Sequence, residues 1–336
     1  MNLRTTGVLA VLTAAFLVTP TVALAGPSAP VVIDAKGPGV FPHSADYDGR
    51  SRQFLVGSLS TGTVSVVSRD GQVRTLVDDP RLTSTQGVRV DLARNRVLVT
   101  DVDLGTAKTS RPETRLKTAG VASYDLRTGK RQWYADLAAL TGGGNHLIAD
   151  VVVDCDGTAY AVDTQSANLY RIDRRGKASV LLTSPLLAGD PNLDVPGFLD
   201  DIAASSVALA GDHLIVSKGG GGLVRVPLRR PEQASVVKLN AGLVALTASI
   251  RTLPDGSLAA VSSGLLTGTA AVVQRVRPNR DWTAATVTVT DHVADPITSG
   301  ITEGPRGAFY TVSGGLLDLL QGRPNAGFVL REVRIG

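Results

Sequence analysis

A recurring four-strand unit constrains the fold of this chain more than any other feature. Its clearest copy places an apolar strand at Val151-Val152-Val153, a turn at Asp154-Cys155-Asp156-Gly157 and a second strand at Thr158-Ala159-Tyr160-Ala161-Val162. Two more strands follow, around Leu169-Tyr170-Arg171-Ile172 and Val180-Leu181-Leu182. Short apolar or alternating runs bounded by Asp and Gly read as strands. The turn glycine recurs at Gly157, Gly211, Gly256 and Gly307, at spacings of 45 to 54 residues. That is the length of a blade of four antiparallel strands.

Earlier copies begin at residues 44–48, leading into 53–58, and at 87–91, leading into 96–101. The second carries an insertion of residues 103–118, rich in Thr, Lys and Arg, which is expected on a surface loop. The fourth copy spans residues 200–239, the fifth 246–289, and the sixth begins near Thr298. Six units fill residues 26–336 and leave no room for a second domain, so the chain reads as a single all-β domain, a six-bladed β-propeller with four antiparallel strands per blade. Each blade has unpaired edges and apolar faces that only its neighbours can cover, so the ring must close on itself. Val31-Val32-Ile33 is the candidate closing strand, beside residues 328–333. A pair of β-sandwiches is the rival arrangement, but it does not account for an Asp-Gly turn recurring at blade spacing.

Composition agrees with many short strands and tight turns: 36 glycines, 4% aromatic and 19% charged residues among 336. A net charge of +4, scattered along the chain, gives no phosphate-tracking surface, and nucleic acid is not an expected partner. Residues 1–25 read as a removable signal peptide, with Arg4, an apolar stretch over 7–18 and the small-x-small pattern Ala23-Leu24-Ala25 before Gly26. The expectation is a secreted protein without membrane attachment once the signal is removed; a retained anchor helix is the alternative, opposed by the short apolar run and Pro20. Cys155 is the only cysteine, so no intramolecular disulfide can form and the core must hold the fold.

Several stretches together resemble the gluconolactonase and senescence-marker family of six-bladed propellers, which includes luciferin-regenerating-enzyme-like proteins and is related to the strictosidine-synthase-like group. They are Phe41-Pro42-His43-Ser44-Ala45-Asp46-Tyr47-Asp48, Tyr124-Asp125-Leu126-Arg127-Thr128-Gly129, Ala149-Asp150-Val151-Val152-Val153-Asp154 and Gly222-Leu223-Val224-Arg225-Val226-Pro227-Leu228. The resemblance covers nearly all of residues 26–336. It implies a divalent metal such as calcium on the axis, polarising a lactone carbonyl while an Asp handles the proton of the attacking water. Carried over residue by residue, the pattern departs from the family. The first-blade Glu is His43, the third-blade Asn is Ala149, and the fifth-blade acidic ligand is Ala248. In the fourth blade the Asn-Gly pair aligns with Asp200-Asp201, or with Ala203 in another register. Methyl groups cannot coordinate a metal.

His43 and Asp200 are the candidate catalytic residues, and Gln86, Asp150, Asp201 and Ser299 the candidate ligand-pocket residues, by the same alignment. His43 can serve as a metal ligand, an acid or base, a ligand donor or a polar plug; Asp150 can instead bond a neighbouring backbone. Gly142-Gly143-Gly144-Asn145-His146 precedes the third blade and reads by default as a mobile linker, with draping over the channel mouth as the alternative. Asp101-x-Asp103-x-Gly105 lacks the later ligands of a calcium loop and reads as a turn. No Gly-x-Ser-x-Gly elbow or His-Glu-x-x-His helix occurs, which removes conventional serine hydrolases and zinc proteases. Two functions fit: hydrolysis of a lactone or related ester in the axial cleft, or a non-enzymatic propeller that binds a small molecule or uses a rim for protein contact.

Overall fold

The computed structural model describes residues 31–189, 202–265 and 268–336. Six antiparallel sheets follow one another along the chain, and the first strand of each stands next to the first strands of its two neighbours, so six inner strands form a closed ring. These inner strands are Ala45–Asp48, Ser84–Asp91, Ile148–Val153, Ala204–Ala210, Thr247–Thr252 and Gly300–Glu303, in blades 1 to 6. The fifth blade gains an extra parallel strand, Lys238–Leu239, at its outer edge.

The ring closes as the sequence predicts. Val32–Ala35 pairs antiparallel with Phe328–Val333, with Ile33 opposite Leu330, and becomes the outermost strand of blade 6. The N-terminal end of the propeller thereby completes its last sheet, and no inner strand is left with a free neighbour.

Continuous apolar runs are needed because both faces of every blade are covered. Successive side chains of a strand point to opposite faces. In the second strand of blade 3, Ala159 and Ala161 pack with Leu98, Val121 and Ile148 toward blade 2, while Tyr160 and Val162 pack with Val207, Leu214 and Val224 toward blade 4. Six such apolar clusters separate the six pairs of neighbouring blades. Where inner strands approach most closely, side chains have no room: a Cβ on Gly300 would meet the His43 carbonyl at 2.8 Å, and one on Gly87 would meet the Ala149 carbonyl at 3.2 Å. Among the described residues no helix is long and apolar enough to cross a membrane.

Ile33 is buried in the cluster joining blades 6 and 1, whereas its neighbour Val32 points outward and is 39% exposed. Ile33→Ala should therefore lower stability by about 2–4 kcal/mol, and Val32→Ala by about 0.5 kcal/mol or less, in urea unfolding. Equal effects from the two would mean that the closing strand is not held through its inward face.

Candidate functional site

One residue from each inner strand, or from just before it, lines a cleft at one end of the axis: His43, Gln86, Ala149, Ser205, Ala248 and Ser299. In four blades an irregular register produces this aim. The antiparallel pairing skips Gln86 and Gly87, Ala149, Ser205 and Ala248, each at a β-bulge. A bulge turns an extra side chain out of the ladder, here toward the axis. Above this floor stand aliphatic side chains from the connecting loops, among them Leu104, Leu147, Ile202, Leu246, Ile297 and Leu316. The cavity measures about 120 Å³, space for about four waters.

Three residues further along each strand, a second layer fills the axis. Its members are Asp46, Arg89, Val152, Ala208, Arg251 and Thr302, and the first five face a separate opening at the other end of the channel. Between the two layers lies Asp150. Arg251 Nη1 donates to Asp150 Oδ2 at 2.9 Å, the Ser206 hydroxyl donates to the same oxygen, and Val151 N donates to Oδ1 at 2.9 Å. Arg89 bridges Asp150 and Asp46 at 3.7 Å each and donates from Nε to the Val151 carbonyl at 3.1 Å. Asp46 in turn accepts from Val90 N at 2.7 Å and from Thr302 Oγ1 at 3.2 Å. All six blades therefore contribute to one polar network with two carboxylates and two guanidiniums. Burial pushes the Asp150 carboxyl up, but Arg251, Arg89 and the Ser206 hydroxyl outweigh it and hold it below the ordinary carboxylate value.

His43 occupies the cleft floor above this network. Loss of solvent drives its imidazole down to about 4; Asp150 opposes the shift and Arg251 adds to it. The ring is neutral at physiological pH. A hard divalent cation needs six to eight oxygen ligands with carboxylates prominent among them. The floor supplies an imidazole, an amide, two hydroxyls and two methyl groups, and Asp150, the carboxylate that lies below it among the described residues, is already engaged by two arginines. Among the described residues no group of three or more His, Cys, Asp or Glu is placed to hold a metal. The described residues do not fit the axial metal that the family resemblance implies.

The structure brings together His43, Gln86 and Ser299 from the sequence candidates. Asp150 departs from its expected place: it does not line the cleft, because its carboxylate is held below the floor by Arg251, Arg89 and Ser206. Asp200 and Asp201 lie outside the described residues. The fourth-blade floor position, aligned with Asp200-Asp201 or Ala203, is taken by Ser205, whose hydroxyl donates to the Thr247 carbonyl at 2.6 Å. The insertion of residues 103–118 is more than a surface loop. Buried Asp103 gathers it by accepting from Gly105 N, Ser110 Oγ and Thr114 Oγ1, and it delivers Leu104 to the cleft. Sequence reasoning missed Ser205, Leu104 and Leu316. The only signal for Leu104 was an apolar residue in a polar insertion, and Leu316 opens a short apolar helix, Leu316–Leu320.

No protein-family model matches this sequence, and no curated protein sequence does. Solved structures do match in shape. The major allergen Mala s 1 of Malassezia sympodialis superposes with a TM-score of 0.73 at 16% identity, over 91% of this chain and 96% of that one. Regucalcin of Agrobacterium tumefaciens, a calcium-binding protein, gives 0.58 at 13% identity over 91% and 95%. A gluconolactonase of Xanthomonas campestris gives 0.53 at 14% identity over 93% and 99%. The chain is thus a six-bladed propeller of the shape shared by gluconolactonase, regucalcin and luciferin-regenerating enzyme. At these identities the likeness is one of fold.

Removing one member of a buried, hydrogen-bonded ion network leaves its partners desolvated without compensation. Asp150→Ala should lower stability by about 3–5 kcal/mol in urea unfolding, and a loss below about 1 kcal/mol would show that the network is dispensable. For His43 the folded-state value lies below the ordinary 6.5, so the unfolded chain takes up that proton first as pH falls. Its contribution to stability is complete above pH 6.5 and is lost toward pH 4. His43→Gln should reduce the drop in unfolding free energy between pH 7 and 4 by about 3 kcal/mol. Identical pH profiles for the two proteins would contradict a neutral, desolvated imidazole.

Proposed function

We propose that the axial cleft binds a small, uncharged, partly apolar organic molecule without a metal, and that binding rather than hydrolysis is its primary role. The observation that carries this reading is the lining itself. Aliphatic side chains surround a floor of neutral polar groups, His43, Gln86, Ser205 and Ser299, with no carboxylate among the cleft-lining residues described. An apolar cleft with a few convergent polar groups is the usual form of a small-molecule site. The cavity volume suits a ligand of about five or six non-hydrogen atoms, since a cavity of about 150 Å³ takes up benzene.

The lactonase reading keeps one specific support, an uncharged imidazole on the floor of a cleft in a gluconolactonase-like propeller. Against it, a base with a value near 4 is weak at neutral pH, because proton transfer is most effective when the catalytic group titrates near the working pH. Among the described residues no carboxylate cage stands at the floor to hold a metal that would activate water.

γ-Butyrolactone, a small neutral lactone of suitable size, tests both readings in one titration. Calorimetry should show saturable binding that is insensitive to EDTA and at least tenfold weaker in Ala248→Phe, which fills the cleft. Absence of binding, or equal binding by the filled variant, would remove the proposal. Hydrolysis that persists in EDTA and disappears in His43→Gln would transfer the assignment to a metal-free lactonase, and turnover abolished by EDTA would overturn the metal-free reading altogether.

A further inference from the structure

Blade 3 holds a hydrogen-bonded relay that the axial cleft does not use. Thr141 Oγ1 lies 3.1 Å from His146 Nε2, and His146 Nδ1 lies 2.7 Å from Asp163 Oδ2. Thr141 and His146 bracket the glycine segment leading into the third inner strand, and Asp163 ends the second strand of the same blade. His146 and Asp163 are buried, whereas Thr141 is partly exposed.

The hydrogen bonds around Asp163 decide the imidazole tautomer. Its carboxylate faces donors on every side: Leu147 N at 2.8 Å, Gln165 N at 3.0 Å and the Tyr170 hydroxyl at 3.4 Å. It therefore accepts from His146, which places the ring proton on Nδ1 and leaves the Nε2 lone pair facing Thr141. The Thr141 hydroxyl can give its proton to Nε2 or to the Ala138 carbonyl at 3.2 Å. Immediately after Thr141, the amides of Gly142, Gly143 and Gly144 donate to no protein acceptor among the described residues. All three have positive φ, at +71°, +120° and +102°, a backbone that glycine adopts without strain.

We propose that Thr141, His146 and Asp163 form an acyl-transfer relay acting on small, unhindered carboxylic esters. A nucleophile hydrogen-bonded to a base that is itself oriented by a carboxylate is recognised by geometry and not by sequence order. Thr141 Oγ1 attacks the ester carbonyl carbon while His146 Nε2 takes the hydroxyl proton. The ester C–O bond then breaks, the departing alcohol oxygen takes the proton from Nε2, and an acyl-Thr141 ester remains. Water attacks that ester, passing its proton to Nε2; the Thr141–acyl bond breaks, Oγ1 regains the proton and the carboxylic acid leaves. The glycine amides are the donors nearest in sequence to a developing oxyanion. Asp163 is a positioning residue. Leu147 and Thr164, which follow His146 and Asp163, line the axial cleft, so the relay stands against its wall. The relay does not require that the cleft bind anything.

The test is burst kinetics of the full chain with p-nitrophenyl acetate. One equivalent of p-nitrophenolate should appear rapidly, followed by slower turnover, and mass spectrometry should find the acetyl group on the peptide containing Thr141. Thr141→Val should reduce the burst rate at least tenfold with an unchanged Tm, and Thr141→Ser should restore it. Asp163→Asn should lower the acylation rate constant with little change in KM, because it alters the tautomer and not the site of attack. No burst in the native protein, an equal burst in Thr141→Val, or acetyl groups found only on lysines would overturn the proposal. The two threonine variants decide the matter even where changes at buried His146 or Asp163 prevent folding.

Discussion

Asp46, Arg89, Asp150 and Arg251 come from four different blades and meet on the propeller axis, where Ser206 and Thr302 complete the ring of contributors. Two positive and two negative side chains cancel, which lets charge enter a site with little water. Neutrality alone would not suffice, since taking ions out of water costs several kcal/mol each unless hydrogen bonds replace the lost solvent. Backbone groups supply much of that replacement: Val90 N and Val151 N donate to the carboxylates, and the Val151 and Ile250 carbonyls accept from the guanidiniums. Because the partners belong to different inner strands, a slip of one residue in any of these strands would break several of these bonds together.

The network also sets the chemistry of the cleft above it. Asp150 is adjacent to the floor position Ala149, yet Arg251 and Arg89 occupy its oxygens, and no free carboxylate reaches the floor among the described residues. Arg251 and the loss of solvent keep His43 uncharged. A propeller axis elsewhere suited to a cation is here satisfied internally by arginine, and the cleft becomes a neutral pocket with an aliphatic wall. The Thr141–His146–Asp163 relay lies outside this field, on the connection into blade 3, where its own hydrogen bonds fix the imidazole.

Much of the architecture was legible in the chain because a blade is a local unit. The turns at Gly157, Gly211, Gly256 and Gly307 mark the tight corner between first and second strands, and the closing role of residues 31–33 follows from the need to cover an edge. The site was legible where a count from those turns holds, in blades 3, 5 and 6, or where alignment with the family pattern places the residue, in blades 1 and 2. His43, Gln86, Ala149, Ala248 and Ser299 all line the cleft. Ser205 was missed because Gly211 follows its floor position by six residues where Gly157, Gly256 and Gly307 follow theirs by eight, so the same count lands on Ala203. Asp150 was assigned to the pocket because sequence does not reveal which of two adjacent residues a bulge turns toward the cavity.

Local patterning thus determined the number of blades, the strand order, the closing strand and the absence of the family's carboxylate ligands, since each depends on residues close together in the chain. Only the tertiary structure decided that Arg89 and Arg251 converge on Asp150, that Leu104 and Leu316 wall the cleft, and that Thr141, His146 and Asp163 share hydrogen bonds. Asp150 and Arg251 stand 101 residues apart. Their meeting is a consequence of ring closure, which brings distant inner strands to one axis and has no signature in any short stretch of sequence.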